Sequence, residues 1–206
     1  MALNFSETKK AKKDFGRIED GSFVARIVQI IDFGDQYETD YKTGEIKKYD
    51  DGNEVIKHKV FITFEFPTET IEIDGVQKPR WLGKEFSISS HEKSALFSLL
   101  KAIDPKGENT NKGRNVRGML GLPAMVTVGS TSGGKAKISS VSGVPKGMQV
   151  DSLYNPEQFF DLDSDDVTTF ESLPTWMQER ITTGIGFDET KFYQAVNKKD
   201  VAKGDY

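Results

Sequence analysis

Short apolar stretches of β type, separated by turn signals, fill residues 23–141, and only one stretch between them has helical spacing. The clearest strand is 57–66, in which apolar and polar side chains alternate. Four large apolar residues share one face: Val60, Ile62, Phe64 and Phe66. A period of two is typical of a strand with one face in a core. The chain is therefore predicted to be mainly β, and Pro67 is expected to end this strand.

The other strands are predicted from composition and from turn residues. Residues 23–31 are apolar and β-branched, which predicts a strand with at least one buried face. The pair Asp74-Gly75 is a strong hairpin signal and leads into a strand at 80–87. Residues 122–128 and 136–141 predict a last hairpin. Its turn resembles a phosphate-binding loop in spacing but has Ala136 in place of the hydroxyl residue and no helix after it.

The single helix of this region is predicted after residue 88. Ser89 and Glu92 have the spacing of a capping box. Apolar residues then recur at helical spacing, and Asp104-Pro105 is expected to end the helix. The preceding long stretch, 32–53, is rich in Gly, Asp and Tyr and is expected to be a hairpin tip or a mobile loop.

Five or six strands with one helix before the final pair favour an OB-fold-like five-stranded barrel. An SH3-like barrel or a small sandwich would give a similar pattern. Three regions are predicted: a flexible basic arm at 1–20, the barrel at 21–147, and an acidic, partly helical C-terminal extension at 148–206.

Charge is distributed unevenly along the chain. Residues 1–150 carry 23 Lys or Arg against 20 Asp or Glu, a net of +3, whereas residues 151–206 carry 5 against 12, a net of −7. This asymmetry suggests a body that binds a polyanion, followed by an anionic segment that competes with it. A solvated surface is the alternative explanation.

Composition excludes several classes of site. With no cysteine, disulfides and thiolate metal sites are excluded. With only two histidines, a multi-histidine zinc site is not expected. No apolar run approaches a membrane span, and residues 1–20 lack the apolar stretch of a signal peptide. A soluble intracellular protein without metal or cofactor is predicted.

No catalytic constellation is recognisable. Asp161, Asp163 and Asp165 have the spacing of the start of a calcium loop, but Asp166 replaces the glycine that the bend needs, and Ser172 replaces the bidentate glutamate. No Ser/His/Asp arrangement has a familiar local context. The chain is therefore predicted not to be an enzyme.

Sequence-independent binding of single strands needs cations for phosphates and aromatic faces for bases. Both are present on the polar faces of the predicted strands and in the tyrosine-rich loop. The candidate nucleic-acid-binding residues are Arg26, Tyr37, Tyr41, Tyr49, Lys57, Lys59, Phe61, Lys78, Arg80, Trp81, Lys84, Lys135 and Lys137.

Several stretches resemble the single-stranded-DNA-binding proteins of tailed bacteriophages. They are the stretch Ala25–Gln36, the strand end Phe64-Glu-Phe-Pro67, the run Phe86–Leu96, the turn Leu120-Gly-Leu-Pro123 and, more weakly, the stretch Phe170–Ile181. The resemblance covers about residues 20–147. It implies an OB-fold that binds single-stranded DNA with little sequence preference during phage replication or recombination, in the cytoplasm of an infected bacterium.

Such phage proteins often recruit a polymerase or helicase through an acidic tail. Here the acidic run lies inside the chain, so it is expected to mask the binding face or to contact a phage or host polymerase, helicase or recombinase, or another subunit of a homo-oligomer. The candidate partner-binding residues are Phe160, Asp161, Asp163, Asp165, Asp166, Phe170 and Trp176. The alternatives are a β-rich virion or assembly protein without nucleic-acid affinity, and a small nuclease with a carboxylate–metal site.

Overall fold

The computed structural model describes residues 17–89 and 91–203, with side chains as far as residue 197. Most of the predicted arm, residues 1–20, therefore lies outside the described residues. Its last part is described from Arg17, and Ile18 is buried in the core beside the sheet.

Six strands and four α-helices make up the described chain. The strands are β1 (Gly21–Tyr37), β2 (Ile56–Ile73), β3 (Val76–Ser87), β4 (Pro123–Ser130), β5 (Ala136–Ser142) and β6 (Gln158–Phe160). The helices are α1 (Ala95–Ile103), α2 (Val167–Ser172), α3 (Thr175–Thr182) and α4 (Lys191–Lys203). Short 3-10 turns lie at Val116–Met119 and Phe187–Glu189.

The strands form one sheet in the order β3-β2-β1-β4-β5, with β6 added beside β1. The long strand β1 pairs with β4 through Gly21–Arg26 and with β2 through Arg26–Tyr37. All of these pairings are antiparallel except that of β6 with β1, which is parallel. The prediction of a mainly β chain with one helix before the final strand pair is confirmed.

Strand β2 confirms the predicted alternation and corrects its end. Val60, Ile62, Phe64 and Phe66 are all buried in one core with α1, β4 and β5. Pro67 does not end the strand, because pairing with β3 shifts register between Phe66 and Thr70 and then continues to Ile73. A proline is tolerated at such an irregularity because the ladder needs no amide hydrogen there.

Two predicted hairpins are confirmed. Asp74 and Gly75 both have positive φ, 52° and 79°, as a two-residue turn of this kind requires. Strands β4 and β5 form the second hairpin, so the stretch that resembles a phosphate-binding loop is a turn between strands.

The tyrosine-rich loop is shorter than expected, because β1 continues to Tyr37. Residues 38–55 are held by bridges from Thr39 to Ile46 and from Lys48 to Glu54.

Helix α1 begins later than the capping-box spacing predicts. Ser94 is its N-cap and accepts a hydrogen bond from the Phe97 amide at 3.2 Å, so the prediction that Ser89 caps the helix is wrong. Ser94 directly precedes the apolar periodic residues, which is the preferred cap position. The predicted end is confirmed, with Asp104 as C-cap.

The C-terminal extension packs on the sheet face opposite the first core. A second core joins Ile31 and Phe33 of β1 to apolar side chains of the extension. The buried members from the extension are Phe160, Leu162, Val167, Leu173, Met177, Ile181 and Phe192. Strand β1 is therefore buried on both faces, with the extension as its outer cover.

Among the described residues, none of the helices has both the length and the apolar character that a membrane crossing requires.

Candidate nucleic-acid interface

The three candidate tyrosines belong to one segment: Tyr37 ends β1, and Tyr41 and Tyr49 lie in the loop that leads to β2. Their exposed fractions are 39% for Tyr37, 89% for Tyr41 and 52% for Tyr49, so the rings are open to solvent. Lys57 follows the same loop and is also exposed. Aromatic rings and the positive charge of Lys57 are therefore accessible in this part of the chain.

Lys59 is buried instead of exposed. Its ammonium group donates to Glu38 Oε2 at 2.6 Å and to Ser87 Oγ at 2.9 Å, and it lies 3.6 Å from Glu85. The hydrogen bond from Lys59 lowers the pKa of Glu38. Glu85 also pairs with Arg180 of α3 at 3.3 Å, which ties the extension to this network. Replacement of Lys59 would therefore destabilise the fold, so a change in nucleic-acid binding by such a variant would not identify Lys59 as a contact residue.

Arg26 uses its guanidinium within the chain. It donates to the carbonyls of Gly121 at 2.7 Å, Val150 at 2.9 Å and Asp151 at 2.7 Å. These bonds fasten the start of the extension to β1. A phosphate contact by Arg26 would have to compete with three formed hydrogen bonds.

Most of the remaining candidate cations surround β3, where they line two clefts. Lys78 and Arg80 line a cavity of about 470 Å³ with Arg17, beside Trp81. Lys84 and Lys137 line a second cleft, between β3 and β5, of about 570 Å³. Lys135 is exposed near the turn that precedes β5. Arg17, which lies in the predicted arm and is not among the predicted site residues, donates to Ser130 Oγ and to the Gly134 carbonyl at 3.0 Å, so its guanidinium is held within the chain.

Glu65 orients the indole at the centre of this region. The carboxylate is fully buried and accepts from Trp81 Nε1 at 3.0 Å, from the Tyr154 amide at 2.6 Å and from Asn155 Nδ2 at 2.6 Å. Trp81 is thereby held in one orientation while 41% of it stays exposed. Sequence reasoning missed Glu65 and Asn155. The available signal was an acidic residue between two phenylalanines of β2, which requires buried donors nearby.

Phe61 is half-covered by the extension. Its ring stacks on Phe33 at 5.7 Å between centroids, and Trp176 meets it edge-on at 5.3 Å. The ring also lies over Gly83, where an added Cβ would be 2.1 Å from it. Phe61 is therefore one wall of a packed aromatic group, and only part of it is accessible to a base.

The predicted partner residues divide into two groups. Phe160 is 1% exposed, and its ring contacts the rings of Phe192 and Phe170. Phe170 is half-buried and also contacts Phe192, so both predicted phenylalanines pack in the second core. Asp163 and Asp165 are exposed, Asp161 is half-buried, and Asp166 caps α2 by accepting from the Thr169 amide at 2.9 Å. Trp176 is half exposed. The exposed aspartates are accessible to a partner, whereas the two phenylalanines are not.

Outside these clefts, His58 bridges two carboxylates of the adjacent strand β1. Its Nε2 lies 2.8 Å from Asp32 Oδ1 and its Nδ1 lies 2.9 Å from Asp35 Oδ1. The hydrogen bond to Asp32, with a smaller contribution from Asp35, raises the pKa of His58 from 6.5 to about 8. At neutral pH the imidazolium joins β1 to β2 as a charged link.

This link predicts a pH-dependent stability. Because the folded-state pKa is raised, the stabilisation is fully present below pH 6.5 and is lost as the pH rises through about 8. A shift of this size corresponds to about 2 kcal/mol, and the partial exposure of the imidazole reduces it to about 1 kcal/mol. Urea unfolding at pH 6.5 and at about pH 9 should show this loss in the native protein and not in His58→Gln. Equal pH dependence of the unfolding free energy in both proteins would contradict the stabilising role assigned to the His58 imidazolium.

Within residues 17–89 and 91–203, no group of three or more His, Asp or Glu side chains is arranged to hold a metal ion. No family model, curated protein or solved structure matches this chain. The function is therefore argued from the geometry of the chain itself.

Proposed function

We propose that this protein binds single-stranded DNA without sequence preference, and that it acts by coating and protecting exposed strands rather than by catalysis. The body is proposed to be an OB-fold-like barrel left open at one seam. Three features support this architecture: β1 pairs with both β2 and β4, α1 lies between β3 and β4 in the chain and packs near β3 and β5, and β3 faces β5 across a cleft. Barrels of this type commonly bind oligonucleotides.

The observation that carries the proposal is the row of cations along strand β3, which also carries an exposed indole. Lys78, Arg80 and Lys84 alternate with Trp81 on β3, so they project from the opposite face of the strand, and Lys84 shares a cleft with Lys137 of β5. A backbone-tracking set of cations with an aromatic stacking platform is what sequence-independent single-strand binding requires. The exposed tyrosines of the β1–β2 loop add further stacking surface, in the loop that OB-folds use for oligonucleotides.

The biological setting follows from the resemblance to bacteriophage proteins. We propose a role in phage DNA replication or recombination in the cytoplasm of an infected bacterium. Exposed Asp163 and Asp165 are the surface proposed to contact a polymerase, helicase or recombinase, and self-association is a further part of the proposal.

Fluorescence anisotropy tests the proposal. A labelled oligothymidine of about 20 nucleotides, longer than the usual site of one OB-fold, should bind the full chain much more tightly than a duplex of equal length. Affinity should fall with salt by about 0.7 in the logarithmic slope per neutralised phosphate. Absence of binding at low salt would overturn the proposal and favour the assembly-protein alternative.

A further inference from the structure

A cleft of about 670 Å³ lies between the outer face of the sheet and the C-terminal extension. Phe61 and Trp81 line it from the sheet, and Pro174, Trp176 and Met177 line it from the extension. Its size is in the range of small-ligand sites. The two tryptophans of the chain both line this cleft, 41% and 50% exposed.

Apart from one exposed glutamate, the polar side chains that line the cleft are neutral. Thr63 donates to Gln29 Oε1 at 2.8 Å, Gln29 bonds Gln158, and Gln158 donates to Ser172 Oγ at 2.8 Å. Among the residues that line the cleft, the only charged side chain is the exposed Glu157. A phosphate would find no cation there, whereas a neutral planar ring finds aromatic faces on which to stack.

The cations lie immediately outside the cleft. Trp81 and Asn155 also line the cavity that contains Arg17, Lys78 and Arg80. Gly83 also lines the cleft that contains Lys84 and Lys137. The two cationic clefts share Ala136 and therefore adjoin each other, whereas the aromatic cleft opens on the other face of β3. A strand that placed its phosphates along the cationic side would reach the aromatic cleft with its bases across the edge of β3, at Trp81 and Gly83.

We infer that this cleft receives nucleobases, and that Trp176 of the extension forms one of its two tryptophan walls with Trp81. The extension is then part of the nucleic-acid-binding surface instead of an anionic competitor for it. This inference rests on the proposed single-strand binding and assigns the site at which bases, as distinct from phosphates, are held.

Intrinsic tryptophan fluorescence is a selective probe because both indoles line the cleft. Oligothymidine of about 20 nucleotides should quench the emission of the native protein, since stacked bases lie against the indoles. An abasic deoxyribose-phosphate oligomer of equal length keeps the phosphates and should leave the emission unchanged at saturation. Equal quenching by both oligomers, or quenching by neither while oligothymidine binds by anisotropy, would overturn the inference and leave the proposed function intact.

Substitution gives an independent measurement. Trp176→Leu should weaken oligothymidine binding about tenfold, as expected for one lost stacking contact, and should leave abasic binding within about twofold. The matched control is Tyr193→Leu, which removes an exposed aromatic of the extension away from the cleft and should bind both oligomers normally. Normal oligothymidine affinity in Trp176→Leu would overturn the inference. If the native protein bound neither oligomer, the proposed function would be overturned as well.

Discussion

Replacing Lys84 and Lys137 together with glutamate is expected to weaken oligothymidine binding by about 25-fold at 0.1 M salt, the counterion-release contribution of two single-strand phosphates. The two lysines line one cleft between β3 and β5, so a single stretch of backbone would contact both. The slope of log affinity against log salt should fall by about 1.4. Anisotropy titrations at several salt concentrations measure both quantities.

The control is Lys106→Glu with Lys112→Glu, which changes the net charge equally in the loop after α1. These exposed lysines line a different cavity. Their replacement should change affinity less than about threefold and leave the salt slope unaltered. If the two double variants weaken binding equally, net charge and not the β3 surface would account for the affinity.

Phe192→Ala is expected to lower the free energy of unfolding by about 3–5 kcal/mol. Phe192 is fully buried and packs at 4.9 Å from both Phe160 and Phe170, so its removal leaves a cavity in the second core. Because this core covers β1, the loss should appear in the main unfolding transition. Urea unfolding followed by far-UV circular dichroism measures it.

Tyr193→Ala serves as the comparison, because it removes a neighbouring ring that is 37% exposed and should cost less than about 1 kcal/mol. An extension that unfolded separately at low urea, with the sheet intact, would contradict the packing described here. For the same reason, deletion of residues 148–206 would expose Ile31 and Phe33 and would not give a simple test of masking.

The sequence predicted best where one strand or one turn decides the structure. The core face of β2 follows from its period of two, and the hairpin follows from Asp74-Gly75, because both signals are local. Strand β1 was predicted to bury at least one face, and it buries two. Its apolar run Ile30-Ile31 followed by Phe33 has apolar residues of both parities, which is typical of a strand covered on both sides.

The candidate site depended more on contacts between distant segments. Lys59 looked like a surface cation, and it is buried because Glu38 and Glu85, from two other segments, neutralise it. Trp176 looked like a partner residue, and it shares a cleft with Trp81 because α3 packs on the outer face of the sheet. No periodicity or local motif encodes such contacts between distant segments. The exposure of the tyrosines in the β1–β2 loop, by contrast, could be predicted from their local sequence context.

The most direct test of the central claim is photocross-linking of the unmodified protein to oligothymidine that carries 5-iododeoxyuridine, followed by peptide mapping. Iodouridine reacts with aromatic rings on which it stacks, so the adducts locate the bound bases. We expect adducts at Trp81, with further adducts in the tyrosine loop at residues 37–49. Adducts confined to the loop after α1, or saturated binding without any adduct at Trp81, would contradict the claim that single strands lie along β3.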